Sequence, residues 1–398
     1  MQDYEVTEDL LTPQQNAPVP PKQGQSKNPR PTKKPMKTST RIILIVLAAT
    51  IAIGAMFAVS YLRSNIDSDK GNTNANMNPI GSEIAQSGKW TYFSGNGLYK
   101  TDGKTTVKVK DRYYWQLNIY KKKLYAYAGR SKGDSDFDKI ISMDLDGRNE
   151  KVIYKSNNND SSIENIRVYK NKIYTLQENK DNWAVHSMNL DGSQQKTIIE
   201  DDSIEDEFAF SVDNDRIYFQ KVTDEDHAIF SVGLDGGDET KILNWKSLDD
   251  GKEYEEYSSR FSYFAVDRQY LYYVVDKHAG CYNLKTKKNV EAQVPKGQDV
   301  DSINHDAEYK HFYVTSKVEN KDDEYTYYIW QFDMDGGSRK KIYSRDRVPE
   351  DGDFSLYVNR NGLFIEESTG TFNNYDDAFK SIDPNTGETA EIYKYHTN

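Results

Sequence analysis

A chain of 398 residues with 36% hydrophobic and 13% aromatic content can bury a sizeable core, as two ordinary domains or as one repeat array. Its net charge of −11 argues against nucleic-acid binding, which needs a basic footprint. Cys281 is the single cysteine, so no intrachain disulfide can form and an exported domain would be held by packing alone.

Residues 1–40 hold most of the prolines and show no apolar periodicity, as in Pro18-Val19-Pro20-Pro21 and Pro29-Arg30-Pro31. They read as a disordered cytoplasmic tail, solvated or serving as an extended proline-rich ligand. Between Arg41 and Arg63 the run Ile42–Leu62 contains no charged residue, about the 20 apolar residues that a helix needs to cross a bilayer. Residues 41–63 are therefore expected to form one transmembrane helix. Lys22, Lys27, Arg30, Lys33, Lys34, Lys37 and Arg41 precede it and only Arg63 and Lys70 follow closely, so the N-terminus is expected inside the cell. A cleaved signal peptide is the competing reading, but the leader and the apolar run are both long for one. Residues 64–80, rich in Asn, Asp, Ser and Gly, read as a flexible linker.

Residues 81–398 carry a repeat. Met188-Asn189-Leu190-Asp191-Gly192-Ser193 shows it best: an alternating apolar run, Asp-Gly, then a second apolar run, the pattern of a strand, a tight turn and a returning strand. Gly103, Gly147, Gly192 and Gly236 are 44, 45 and 44 residues apart, and further copies end at Gly336 and Gly387. Tyr282-Asn283-Leu284-Lys285-Thr286-Lys287 is a degenerate copy that has lost its glycine. Upstream of each turn lies a short run centred on Tyr or Phe, such as Leu124-Tyr125-Ala126-Tyr127 and Ile173-Tyr174-Thr175-Leu176. Seven units of four antiparallel strands, A to D from the inside outward, predict an all-β, seven-bladed β-propeller ectodomain. It would be preceded by the transmembrane helix and the disordered N-terminal tail.

Asn189-Leu190-Asp191-Gly192-Ser193 followed by Lys196 resembles the repeat of the YWTD propellers of LDL-receptor-related proteins. Lys89-Trp90-Thr91-Tyr92-Phe93-Ser94 leading into Gly97-Leu98-Tyr99-Lys100 resembles, more closely, a bacterial surface-protein family of unknown function with a propeller of that type. The resemblance covers the ectodomain and implies a fold without a chemistry. No copy contains the Trp-Thr-Asp part of the namesake motif, and seven units stand where the receptor propellers have six, so receptor ligand sites do not carry over.

No catalytic, cofactor-binding or metal-ligating set is assigned. The Asp-x-Asp-Gly copies lack the alternating oxygen ligands and closing Glu of a calcium loop, and Asp and Gly suit a tight turn. His278 and Cys281 have a metal-like spacing, with His305 and His311 downstream, but no matching second pair. Asn118, Asn165, Ser262, Ser302 and Ser355 are polar candidates for channel lining. The B–C and D–A connections, which share one end of the ring, carry most of the acid. Glu205, Asp206, Glu207, Asp224, Glu225, Asp226, Asp322, Asp323 and Glu324 form a candidate acidic binding face, with a merely solvated face as the alternative. The expected protein is a single-pass cell-membrane protein with an extracytoplasmic, monomeric ectodomain that binds an envelope protein, peptide or glycan without catalysis. The alternative is an envelope hydrolase with its site in the channel.

Overall fold

Every repeat forms one four-stranded antiparallel sheet built from four consecutive strands, giving seven blades. The computed structural model describes residues 84–128, 138–156, 161–179, 182–201, 204, 210–223, 226–244, 261–306, 308, 310–321, 324–349, 354–371 and 374–397. The expected tail, transmembrane helix, linker and domain boundary at residue 81 lie outside these. Among the described residues no helix is long and apolar enough to cross a membrane.

Blade 1 holds β1 (Ile84–Ser87), β2 (Trp90–Gly95), β3 (Gly97–Thr101) and β4 (Thr106–Lys110). Blade 2 holds β5 (Trp115–Tyr120), β6 (Lys123–Ala128), β7 (Lys139–Asp144) and β8 (Lys151–Lys155). Blade 3 holds β9 (Ser161–Tyr169), β10 (Lys172–Asn179), β11 (Asn182–Asn189) and β12 (Lys196–Asp201). Blade 4 holds β13 (Phe210–Asp213), β14 (Arg216–Thr223), β15 (Asp226–Gly233) and β16 (Thr240–Asn244). Blade 5 holds β17 (Phe261–Asp267), β18 (Tyr270–Val275), β19 (His278–Asn283) and β20 (Asn289–Glu291). Blade 6 holds β21 (Asp299–His305), β22 (His311–Glu319), β23 (Glu324–Asp333) and β24 (Arg339–Pro349). Blade 7 holds β25 (Phe354–Asn359), β26 (Gly362–Thr371), β27 (Asn374–Ile382) and β28 (Thr389–Thr397). The first strands of successive blades adjoin, as β5 with β9 and β9 with β13, and so form the inner wall. Each tyrosine- or phenylalanine-centred run of the sequence lies in the second strand of its blade.

The Asp-Gly motifs close the hairpins between third and fourth strands. In blade 3 Gly192 N donates to Asn189 O at 2.9 Å, and Asp191 Oδ1 accepts from Ser193 N at 3.0 Å. Asp235 and Asp335 accept from Gly237 N and Gly337 N in the same way. The aspartate oxygens thus serve their own turns. In the degenerate copy Lys287, at φ 61°, takes the left-handed place of the missing glycine.

Apolar side chains fill the spaces between blades. Ile166 and Val168 of β9 pack with Tyr120 and Ile140 of blade 2, while Tyr169 packs with Phe210 and Val212 of blade 4. This alternation is the period-2 rule of a strand buried on both faces. Blades 7 and 1 share no strand, so the ring closes through side chains. Phe93 stacks on Phe379 with centroids 4.1 Å apart, and Asn359 and Asn361 each donate from Nδ2 to Thr91 Oγ1 at 3.1 Å.

Two turn glycines separate local strain from blade packing. Gly192 has φ 82°, and a Cβ there would stand 2.1 Å from the Ile153 carbonyl oxygen of blade 2. Gly103 has φ 83° with nothing within 4 Å of such a Cβ. Gly103→Ala should cost about 1–3 kcal/mol of backbone strain, and Gly192→Ala a further ~1–3 kcal/mol because the blades must part. Urea unfolding of the two variants checks this; equal losses would mean that the turn alone sets the cost.

Candidate functional site

The inner wall is built from one residue position per blade. Each first strand places a residue opposite the repeat aromatic of the second strand: Ala85 opposite Tyr92, Asn118 opposite Tyr125, Arg167 opposite Tyr174, Ser211 opposite Tyr218, Ala265 opposite Tyr272, Asn304 opposite Tyr313 and Tyr357 opposite Phe364. A first strand has a ladder partner on one side only, so the backbone groups of its other edge need partners from elsewhere.

Side chains of the preceding blade supply many of them. Asn118 Nδ2 donates to Ile166 O at 3.4 Å and its Oδ1 accepts from Val168 N at 3.3 Å. Gln116, at φ 52° in an irregular stretch of β5, donates to Glu164 O and accepts from Ile166 N at 2.6 Å. Ser211 Oγ accepts from Val266 N at 3.0 Å, and Asn304 Nδ2 donates to Leu356 O at 3.0 Å. Ser94 Oγ, from β2, donates to Tyr114 O.

The five channel candidates divide accordingly. Asn118 is a cross-blade staple. Asn165 is buried and its Oδ1 accepts from Arg167 Nη1. Ser302 is also buried and bonds Thr315 Oγ1 within its own blade at 2.6 Å. Ser262 is exposed and Ser355 half-buried. Gln116, Arg167, Ser211 and Asn304 are polar wall residues that were not singled out from the sequence. Counting seven residues upstream of the repeat aromatic would have found Arg167.

Of the acidic candidates, Glu205, Asp206, Glu207, Asp224, Glu225, Asp322 and Asp323 lie outside the described residues. Asp226 and Glu324 begin β15 and β23, opposite Thr223 and Pro349. The strand order puts both at the end of the blades that carries the B–C and D–A connections. At that end Asp201 Oδ2 lies 2.8 Å from Lys221 Nζ.

His278 and Cys281 are three apart in β19, and side chains at that spacing point to opposite faces of a strand. His278 Nδ1 lies 2.6 Å from Glu291 Oε1, whereas Cys281 is in the core, where burial pushes its thiol pKa up. His311 Nδ1 meets Asp306 Oδ2 at 2.9 Å, and His305 stacks on Tyr272 with centroids 4.3 Å apart. No group of three potential metal ligands converges among the described residues.

Among the described residues, the carboxylates with shifted pKa sit at surface positions, and each is shifted down. Asp191 is lowered by hydrogen bonds from the Ser193 side chain and backbone, and Asp144 by the Lys123 side chain. Asp102 is lowered to about 2, chiefly by its hydrogen bond from Lys89. None of these is held protonated in the way a general acid requires.

No family model and no curated protein matches the chain. Solved structures do. A candidate 6-phosphogluconolactonase from Bacteroides fragilis is 12% identical with a TM-score of 0.50, over 80% of this chain and 94% of that one. A second, from Bacteroides uniformis, is 10% identical with a TM-score of 0.50, over 80% and 96%. A chain of a nidogen/laminin complex is 13% identical with a TM-score of 0.44, over 64% and 92%. At such identities the two likenesses at a TM-score of 0.50 show the fold alone.

His186 gives a pH prediction. It is buried in β11, its Nδ1 3.1 Å from Thr197 Oγ1, and burial lowers its pKa against a smaller opposing pull from Glu200. Because the folded pKa lies below the unfolded one, the unfolded chain takes up the proton first. The contribution is therefore complete above about pH 6.5 and declines as pH falls from there through the folded pKa. Urea midpoints from about pH 7.5 to about pH 5 should fall less steeply in His186→Gln than in the native chain. Parallel curves would show that the ring titrates alike in both states.

Proposed function

We propose that this chain is a single-pass cell-membrane protein, N-terminus inside, whose extracytoplasmic propeller is a non-catalytic binding or scaffold module for an envelope protein, peptide or glycan. The observation that carries the reading is the use of the inner wall. Gln116, Asn118, Ser211 and Asn304 spend their polar atoms on the neighbouring blade, which favours a rigid display ring over a reaction chamber. The downward carboxylate shifts agree, since a hydrolase of glycans or esters would need a carboxyl or imidazole tuned toward neutrality. We assign the binding surface to the acidic candidates of the sequence, Glu205, Asp206, Glu207, Asp224, Glu225, Asp226, Asp322, Asp323 and Glu324, whose negative charge would suit a cationic partner.

Crosslinking in intact cells, followed by identification of what co-purifies, is the direct test. An envelope component should be captured by the native chain and lost from a variant carrying Glu205→Gln, Asp206→Asn, Asp322→Asn and Asp323→Asn. Capture should weaken as salt screens the field beyond about 10 Å at 0.1 M. Equal capture by both proteins at all salt concentrations would remove the acidic end from the reading, and turnover of a glycan or ester would replace binding by catalysis.

The anchor is tested separately. Deleting residues 1–62 should release the protein from membranes into the soluble fraction, since the later sequence contains no apolar run of spanning length. Continued sedimentation with membranes would reveal a second anchor.

A further inference from the structure

Arg167 breaks the pattern of the inner wall. At the equivalent position Asn118, Ser211 and Asn304 reach across to the next blade, but Arg167 turns back on its own strand. Its Nη1 donates to Asn165 Oδ1 and, at 2.9 Å, to Ile166 O. That carbonyl is also where Asn118 Nδ2 arrives from blade 2, so it belongs to the free inner edge of β9. The guanidinium therefore lies against the channel wall. Only 6% of the residue is exposed, and Nε is buried without an acceptor. The Arg167 side chain forms no ion pair with any described residue, and its hydrogen bonds are the two from Nη1. Burial lowers its pKa to about 10, which leaves it charged at neutral pH. A structural staple could be uncharged, as Asn118 is, whereas a buried charge without a counter-charge opposes folding.

We infer that Arg167 and Asn165 form an oxyanion site in the channel wall, which takes the carboxylate or phosphate group of a small ligand. Nη2 is the guanidinium donor that is neither bonded nor enclosed, and it can aim a charge-assisted N–H at such a group. Nη1 is already occupied in fixing the plane of the fork. The Asn165 side chain makes no hydrogen bond beyond the one its Oδ1 accepts, so its Nδ2 is a further donor. The bound anion supplies the missing counter-charge. This site is opposite in sign to the acidic end and does not rest on the ligand proposed there.

The test uses the full chain in detergent micelles, with calorimetric titration and thermal melting in sodium phosphate or sodium succinate against sodium chloride of equal ionic strength. The native chain should bind phosphate, succinate or both at one site and melt at a higher temperature when loaded, and the stronger of the two probes identifies the preferred group. Arg167→Lys, which keeps the charge but not the fork, should bind roughly tenfold or more weakly. Arg167→Asn should not bind, yet should melt above the unloaded native chain, because it removes an uncompensated charge and places a staple where Asn118 has one. The inference is overturned if the native chain binds neither probe at about 50 mM, where a millimolar site would be saturated. It is equally overturned if either variant binds as tightly as the native chain. A lower melting temperature for Arg167→Asn, with no loss of affinity in Arg167→Lys, would make the guanidinium a structural group instead.

Discussion

Seven sheets set radially around an axis present seven inner edges, and each edge carries backbone N–H and C=O groups that no neighbouring strand can pair. Leaving such groups buried and unsatisfied costs about 1–3 kcal/mol each, so the inner wall must be rich in side-chain partners. The wall meets this demand by reaching sideways: Gln116 and Asn118 to β9, Ser211 to β17, Asn304 to β25. One set of contacts thereby satisfies the edge and fastens blade to blade. The polarity of the wall follows from backbone geometry before any ligand is considered.

The same economy operates at the closure. Because every blade is made of four consecutive strands, the join between blade 7 and blade 1 is a side-chain interface like the other six. It compensates with aromatic area: Phe364, Phe379 and Phe93 stack in turn, and Tyr99 faces Tyr393 at 4.1 Å between centroids. Polar contacts flank the stack, including Thr106 Oγ1 donating to Ile392 O at 3.0 Å and Tyr393 Oη to Asn96 Oδ1 at 2.9 Å. With a single cysteine the chain has no covalent clasp, and burial of rings worth several kcal/mol each takes that role.

Blade number, strand order and turn chemistry were legible in the sequence because each depends on residues close along the chain. Asp191-Gly192 specifies its hairpin locally, through an Asp oxygen bonded two residues on and a glycine at positive φ. The aromatic runs mark second strands for a similar reason, since a Tyr on a strand between two blades must bury its ring. The wall was less legible. Asn118 and Asn165 were both recognisable as polar, yet one crosses to the next blade and the other holds Arg167. Their partners lie about one repeat away or depend on how a side chain curls, and composition does not encode either. The second reason for Gly192, the Ile153 carbonyl of blade 2, was hidden likewise.

A repeat architecture also lets function be read as departure from the repeat. Where seven equivalent positions face the same environment, their common solution reveals what the fold requires. Ala85 and Ala265 show that the position tolerates having no polar group at all, and Asn118, Ser211 and Asn304 show that an uncharged staple suffices. Tyr357 departs from both, but it belongs to the closing aromatic cluster and its hydroxyl donates to Glu366 Oε2 at 3.0 Å, so packing accounts for it. Arg167 has no such account. It neither bridges to β13 nor forms an ion pair with a described residue, and it places a full charge where the fold accepts alanine. Folding alone gives no reason to keep it there, and a ligand that brings negative charge into the channel does.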